Sequence, residues 1–378
     1  MIPVSFTDYR AQAQRRLPRF LFEYADGGAY DEETLRRNTA DLRTIGLRQR
    51  VLRDVSAIDT SIDLFGAHHA LPVTLAPVGL AGLYHRRGEV QAARAAAEAG
   101  ISFCLSTMSV CPLDEVATAS SRPLWFQLYM IRDRAFMRDL LHTASSLGCS
   151  VLVFTVDLPV AGARYRDHRS GLAGDPGLPT QLRRLAQAAA RPGWAWNVGL
   201  RGRPHHLGNI APALAGRSGL KDFFGWIGAN FDASVTWRDL DFIRENWAGP
   251  LILKGIMEAD DARTATAIGA DGIVVSNHGG RQLDGAMSSA RALPEIAGAV
   301  GGKIPVLVDG GVRSGLDVLR MLALGADSVL IGRAWLYALA SGSGEVRRLL
   351  QRFESELRVA MALTGCKRIA DINPTILA

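Results

Sequence analysis

Cysteine is scarce and scattered: Cys104, Cys111, Cys149 and Cys366 are the only four in 378 residues, and no two form a CxxC pair. That argues against a disulfide framework or a cysteine-based zinc site, so no metal is expected, and a reducing compartment is. Long apolar runs are missing too; none approaches the roughly 20 residues that a membrane-spanning helix needs. The opening stretch MIPVSFTDYRAQAQRRLP has no apolar core followed by a small-residue cleavage site, so no export is expected. There is no lysine-rich tail, and the net charge of +6 is largely an arginine excess. No G-x-G-x-x-G follows an early strand with an acid about twenty residues on, which excludes a dinucleotide held in the Rossmann manner. No motif of a nucleic-acid-binding fold is present, so nucleic acid is not expected as a partner.

What the chain does have is a recurring pair of patterns. Short apolar, β-branched runs occur at 71–79, 101–107, 124–129, 151–157, 251–255, 272–277, 305–311 and 328–333. Helix-like, Ala-rich stretches lie between them, such as GEVQAARAAAEAG (88–100), EADDARTATAIGA (258–270) and SGLDVLRMLALGA (314–326). Near-continuous apolar strands alternating with helices indicate a parallel sheet covered by helices. Eight such units predict an α/β fold, a (β/α)8 barrel in one domain over 1–378. Residues 1–65 read as a helical cap, with DYRAQAQRRLPRFLFEYADGGA a helix followed by an irregular turn.

Polar side chains gather at the ends of the apolar runs. Gln127, Tyr129, Thr155, Asp157, Lys254, Ser276, His278, Asp309 and Arg333 all fall at or just past a strand C-terminus. In a barrel of this kind that end carries the chemistry. The glycine pair Gly310–Gly311 with Arg313, and Gly332 with Arg333, follow the seventh and eighth strands. Barrels often bind phosphate there, with backbone N–H groups approaching the anion and arginines supplying countercharge. A mononucleotide cofactor fits this better than a dinucleotide, and FMN is the expected one, with Lys254 placed to offset charge on its ring.

One connection breaks the rhythm. Between Asp157 and Leu251 lies an insertion, expected over about 170–232 as a lid. From Gly177 to Lys221 it carries Arg183, Arg184, Arg191, Arg201, Arg203, Arg217 and Lys221 with no Asp or Glu, and Trp194, Trp196 and Trp226 lie in or beside it. Arginine with tryptophan suits an anionic membrane surface, so the 177–221 stretch is expected to make a peripheral contact.

The strings SNHGGRQLDG, FQLY, FTVDLPV, ARYRDHRSG, LILKGI and DGGVRSGLDV resemble the FMN-dependent 2-hydroxy-acid dehydrogenase and oxidase family over nearly the whole chain. The N-terminal FLFEYADGGAYDEETLRRN, LSTMSVCPLDEVA and WAWNVGLRGRPHHLGNI are similar to the bacterial, quinone-linked branch that oxidises L-lactate. The resemblance implies His278 as catalytic base paired with Asp157, and Arg281 and Arg164 on the substrate carboxylate. It implies Tyr24 and Tyr129 as substrate hydrogen-bonders, with Ser106, Gln127, Thr155, Lys254 and Ser276 on the flavin. Ala76, Pro77, Val78 and Gly79 would pass along the flavin face, with Asp309, Gly310, Gly311, Arg313, Gly332 and Arg333 at its phosphate. A small 2-hydroxy acid, a quinone acceptor, a homotetramer and a place on the cytoplasmic face of the inner membrane are implied as well. In the family a glycine at position 79 goes with dehydrogenases and an alanine with oxidases, so Gly79 favours a dehydrogenase.

The chemistry accounts for the opening of that loop. Oxidising a 2-hydroxy acid removes two protons and two electrons, at least one of the protons going to a base, so a base must sit at C2, and histidine serves near neutral pH. The substrate is an anion that a planar guanidinium clamps bidentately. Gly279 and Gly280 are expected to bring backbone close to cofactor and substrate.

Overall fold

The structure, a computed structural model, describes residues 2–173, 177–203, 205, 207–214, 225, 226 and 228–378. Two strands, β1 (Ile62–Leu64) and β2 (Ala67–His69), form an antiparallel hairpin. The next eight are β3 (Val73–Leu75), β4 (Ser102–Ser106), β5 (Trp125–Tyr129), β6 (Val151–Thr155), β7 (Leu251–Ile256), β8 (Gly272–Val275), β9 (Val306–Val308) and β10 (Ser328–Ile331). They close into a parallel barrel in sequence order, with β10 pairing β3. Each expected strand is therefore present, and the expected helices appear as Gly88–Glu98, Ala259–Ala267 and Gly315–Ala323.

Alternation along the strands divides the core. Cys104, Trp125, Val153, Ile252, Val274, Leu307 and Leu330 fill the barrel interior, while the residues between them pack outward on the helices. Both strand faces are thus dry, which is why the runs read as continuously apolar. Leu64 joins the interior cluster and the Phe65 ring lies 5.6 Å from Trp125, nearly edge-on. The β1–β2 hairpin therefore packs against the barrel interior, away from the mouth that holds the strand-end polar residues. The cap expected over 1–65 accordingly divides: the helical part serves the mouth, and its last residues pack on the interior.

The helical part also differs from the single helix expected. Pro18 cannot continue a helix, so the chain makes α1 (Phe6–Arg16) and α2 (Arg19–Asp26). A third helix, α3 (Glu33–Thr44), follows the glycine turn. Ser5 and Asp8 form a capping box at the start of α1. Asp26, buried at the end of α2, ties the cap together. Arg10 of α1 donates to it through Nε at 2.6 Å and Nη2 at 2.7 Å. Arg166 Nη1 and the Tyr337 hydroxyl each donate at 2.7 Å. Burial pushes the carboxyl up, but these donors outweigh it and hold it at about 2.

The insertion after β6 contains the helix Leu178–Ala189. Two of its polar side chains, Arg184 and Gln187, point inward, while Arg183 is exposed. Gln187 accepts from the Phe20 N–H at 2.8 Å and donates to the Ser170 carbonyl at 3.0 Å. Arg184 donates to the carbonyls of Gly171 and Leu172, and Arg191 to that of Leu17. Its leucines face out: Leu178, Leu182 and Leu185 are 68%, 56% and 65% exposed. Two of the three tryptophans prove to be packing residues, not surface anchors. Trp194 donates to the Leu83 carbonyl at 2.8 Å, and Trp226 is buried edge-on to Phe136. Among the described residues, none from 177 to 214 lines the cavity at the mouth, so that part of the expected lid lies beside the site. Arg217 and Lys221 lie outside the described residues. Among the described residues, no helix is long and apolar enough to cross a membrane.

Replacing Asp26 with asparagine leaves Arg10 and Arg166 without their shared anion, at a cost of about 3 kcal/mol. The native carboxyl is depressed, so its contribution is present above the unfolded value near 4 and is lost as pH falls toward 2. Urea unfolding should show a lower midpoint for Asp26→Asn and a flatter loss of stability between those two pH values. An unchanged midpoint would show that the cap is held elsewhere.

Candidate active site

The cavity at the mouth is built from strand ends and from the cap. His278 follows β8 and takes a left-handed φ of 56°, uncommon for a side chain with a Cβ. Ser276 helps hold that turn: its hydroxyl accepts the His278 N–H at 3.1 Å. His278 Nδ1 lies 2.8 Å from Asp157 Oδ1, just past β6. A carboxylate there selects the tautomer with the proton on Nδ1, leaving Nε2 as the basic nitrogen. Burial pulls the imidazole below its ordinary value although Asp157 pulls it up. Burial raises Asp157, but His278 and Lys254 overcome it and keep the carboxyl below its usual range. A neutral imidazole beside an ionised carboxylate is the resting state of a general base.

A bulge in β7, whose register against β8 shifts between Lys254 and Ile256, lies against Asp157. Gly255 makes the bulge with φ 115°, and a Cβ there would sit 2.5 Å from the Asp157 Cβ. Lys254 Nζ is buried, donates to Ser276 Oγ at 2.8 Å and pairs with Asp309 Oδ2 at 3.1 Å. Burial lowers the ammonium, but Asp309 and Asp157 more than compensate, so Lys254 stays charged.

Arg281 and Arg164 meet around Tyr24 of α2. Their guanidinium carbons stand 4.8 and 5.9 Å from the centre of its ring. Arg281 Nη1 donates to the carbonyls of Tyr24 and Gly27. Arg164 Nε donates to the Arg281 carbonyl at 3.3 Å, and its nearest acid, Asp167, is 3.9 Å away. Burial and then the neighbouring Arg281 push Arg164 below its ordinary value. Two like charges held together in a dry pocket favour a bound anion.

At the other end, Gly310, Gly311, Val312, Arg313 and Gly332 line the cavity with Ala76, Pro77, Val78 and Gly79. Arg313 stands 4.4 Å over the Phe6 ring of α1, and burial lowers its guanidinium. Arg333, expected as countercharge, lines the cavity and is also tied to the cap. Its Nε, Nη1 and Nη2 donate to the carbonyls of Ala25, Gly279 and Gly27 at 2.8, 3.0 and 3.0 Å. Burial brings it down to about 10. Arg333 therefore lines the cavity while clamping the cap to the His278 loop.

Of the other expected flavin contacts, Thr155 and Lys254 line the cavity. Ser106, Gln127 and Ser276 are buried behind it. Ser106 Oγ donates to Gln127 Oε1 at 3.1 Å, and Gln127 Nε2 donates to Thr155 Oγ1 at 3.0 Å, a relay that fixes the wall. Asp309 keeps Oδ1 buried and without a hydrogen-bond partner. A cleft with one cationic end at Lys254, a second at Arg313, glycine-lined walls and an unpartnered acceptor fits a mononucleotide of the FMN kind.

Sequence reading passed over three features. Asn277 and Asn38 exchange amide hydrogen bonds at 2.8 and 2.9 Å, joining the His278 loop to α3. Asn277 stood in the quoted SNHGG string without a role. Gly255 stood inside a strand run, where glycine signals a bulge. Phe231, at the exit of the insertion, lines the cavity, and no local pattern marks it.

A family model described as FMN-dependent dehydrogenase matches residues 13–378. A curated relative from a Caulobacter species, named L-lactate dehydrogenase, is 64% identical over 100% of this chain and 99% of its own length. One of the same name from Ectopseudomonas mendocina is 60% identical over 100% and 99%. Among solved structures, the monotopic membrane protein (S)-mandelate dehydrogenase superposes with a TM-score of 0.92 at 33% identity, covering 100% of both chains. Mandelate oxidase gives a TM-score of 0.83 at 39% identity, covering 98% of this chain and 97% of its own.

The glycines after His278 were expected to bring backbone to the ligands, and the second has another task. A Cβ on Gly280, at φ 74°, would sit 2.5 Å from the Leu35 backbone nitrogen of α3. Gly285 has a similar φ of 84° but nothing within 4 Å. Gly285→Ala should therefore cost only the left-handed strain of about 1 kcal/mol, whereas Gly280→Ala should cost clearly more and loosen the cap. Urea midpoints and limited proteolysis of the first 45 residues compare them; equal midpoints would remove Gly280 from the docking contact.

Proposed function

Because the chain belongs to the FMN-dependent dehydrogenase family, we propose that it oxidises L-lactate to pyruvate and delivers the electrons to membrane quinone. One observation carries the reaction: His278, oriented by Asp157, opens onto a cavity that the guanidinium groups of Arg164 and Arg281 flank. The shared name of the relatives from Caulobacter and Ectopseudomonas supports lactate as the acid.

When bound, FMN supplies the two-electron acceptor. Ala76 to Gly79, Thr155, Lys254, Gly310 to Arg313 and Gly332 are the residues that would hold it. The remaining work belongs to the chain. Arg164 and Arg281 bind the carboxylate and so fix the orientation of C2. Tyr24 and Tyr129 close the same cavity and would hydrogen-bond the substrate. His278 Nε2 takes the proton, and Asp157 stabilises the imidazolium through Nδ1. Anaerobic bleaching of the flavin tests the whole scheme: L-lactate should bleach it and D-lactate should not, and quinone should restore the colour faster than oxygen does. Bleaching by no 2-hydroxy acid would overturn it.

The leucine face of the helix Leu178–Ala189 supports docking on the cytoplasmic face of the inner membrane. Leu178, Leu182 and Leu185, with the exposed Trp196 and Leu200, make an apolar surface beside exposed Arg183, Arg201 and Arg203. A polar-inward, apolar-outward helix suits lipid, not water. The homotetramer belongs to the same reading.

Two predictions follow from these residues. Since burial keeps His278 neutral, kcat/KM for flavin reduction should stay level down to about pH 6.5 and fall only below it. Asp157→Asn removes the group that raises His278, so its acid limb should move lower while the rate drops by about 10²- to 10⁴-fold. A limb that does not move would detach Asp157 from His278.

The second concerns the outward leucines. Leu182→Asp with Leu185→Asp should weaken binding to anionic vesicles at least about tenfold and slow turnover with vesicle-borne quinone. Lactate-driven bleaching should be unaffected. Cosedimentation equal to the parent's would place the membrane contact elsewhere. A change of mass by light scattering would instead assign the leucines to contacts between copies.

A further inference from the structure

We infer that Phe231 sets the size of the 2-hydroxy acid by walling off the space beyond the C2 methyl group. This rests on the 2-hydroxy-acid reading above. The tetrahedral C2 carries four substituents, and the site gives three of them a destination. The carboxylate goes to Arg164 and Arg281, and the hydroxyl and hydrogen are shared between His278 and the cofactor. The fourth, the acid's own side chain, is left with the apolar wall made by Met108, Leu158, Ala161 and Phe231.

Phe231 is the largest of these. Its ring is buried and lies on that of Tyr129, with centroids 4.9 Å apart and planes tilted by 32°. Its backbone pairs with Ile131 in an antiparallel bridge. The Arg132 N–H donates to the Asn230 carbonyl at 2.8 Å, and the Asp232 N–H to the Met130 carbonyl at 3.2 Å. Asp232 also accepts from Arg134 Nη2 at 2.7 Å. The exit of the insertion is thereby clamped to the residues just past β5, which fixes the backbone that carries the ring. A methyl group is compatible with such a wall; a phenyl group attached at C2 needs the volume the ring occupies.

The test uses the FMN-loaded enzyme and anaerobic flavin reduction with L-lactate, L-2-hydroxybutyrate and (S)-mandelate. Phe231→Ala should raise the ratio of kcat/KM for mandelate to that for lactate by about tenfold or more, the scale at which a hydrophobic pocket discriminates. Phe231→Trp should lower the ratio of 2-hydroxybutyrate to lactate. Phe231→Leu should fall between Ala and the parent, and it serves if Ala does not hold FMN. A structural role alone slows all the acids alike and leaves the ratios in place, so ratios within about threefold of the parent in all variants would overturn the inference. If the parent bleaches with lactate but the ratios stay, Phe231 alone is misassigned. If no 2-hydroxy acid bleaches the parent, the underlying reading fails and this inference with it.

Discussion

The site depends on the docking of the N-terminal cap against the loop that follows β8. That contact is a network of fixed polar partners. Asn38 and Asn277 exchange amide bonds, Asp284 accepts the Thr34 N–H at 2.8 Å, and the Ala29 N–H donates to the Gly280 carbonyl at 2.8 Å. Arg281 and Arg333 close it by donating to carbonyls of Tyr24, Ala25 and Gly27. Buried carbonyls need donors, and guanidinium forks supply several at once. The cap thus meets two requirements with the same atoms: its own polar groups are satisfied, and Arg281 is turned so that its fork borders the cavity. The left-handed His278 sits inside this network, where neighbouring contacts over-determine a conformation it would not adopt freely.

The second organising feature is charge. Arg164, Arg281, Arg313, Arg333 and Lys254 border one cavity, whereas Asp309 is the one carboxylate on its wall among the described residues, with Asp157 hydrogen-bonded to His278. Asp309 is taken up by Lys254, and Asp157 by His278. Arg333 donates to three carbonyls, while at one end Arg281 stands beside Arg164, whose partner Asp167 is 3.9 Å away, and at the other Arg313 lies over the Phe6 ring. An anion bound at either place would offset positive charge in surroundings where unbalanced charge is costly. The same dryness keeps His278 neutral and therefore basic.

The insertion reverses the ordinary rule for a surface helix. Its arginine-rich composition suggested electrostatic attraction to lipid, yet Arg184 and Arg191 are turned inward to cap carbonyls of the neighbouring turns. The outward face is leucine, so apolar contact is the larger part of any attraction, with Arg183, Arg201 and Arg203 as its charged fringe. The exit of the same segment carries Phe231 into the substrate cavity. The exposed leucine face and the cavity-lining Phe231 are thus two ends of a single excursion of the chain.

The barrel was legible from the sequence because its signal is local. Eight apolar runs between Ala-rich helices leave few arrangements that bury both strand faces, and the polar residues at the run ends could only gather at one mouth. His278, Asp157 and Lys254 stood out by their places at the run ends, while Arg164 and Arg281 entered through strings that resemble the family. Other features needed the tertiary structure, because they depend on residues far apart in the chain. Nothing near Asn277 announces Asn38, 239 positions away. Nothing near Arg333 announces the carbonyls of Ala25, Gly27 and Gly279 that take three of its donors, and composition alone could not say which face of the 178–189 helix would hold its leucines. Periodicity and residue type decide which elements form and what chemistry is available. Which donor meets which acceptor is decided only when packing brings distant segments within about 3 Å of each other.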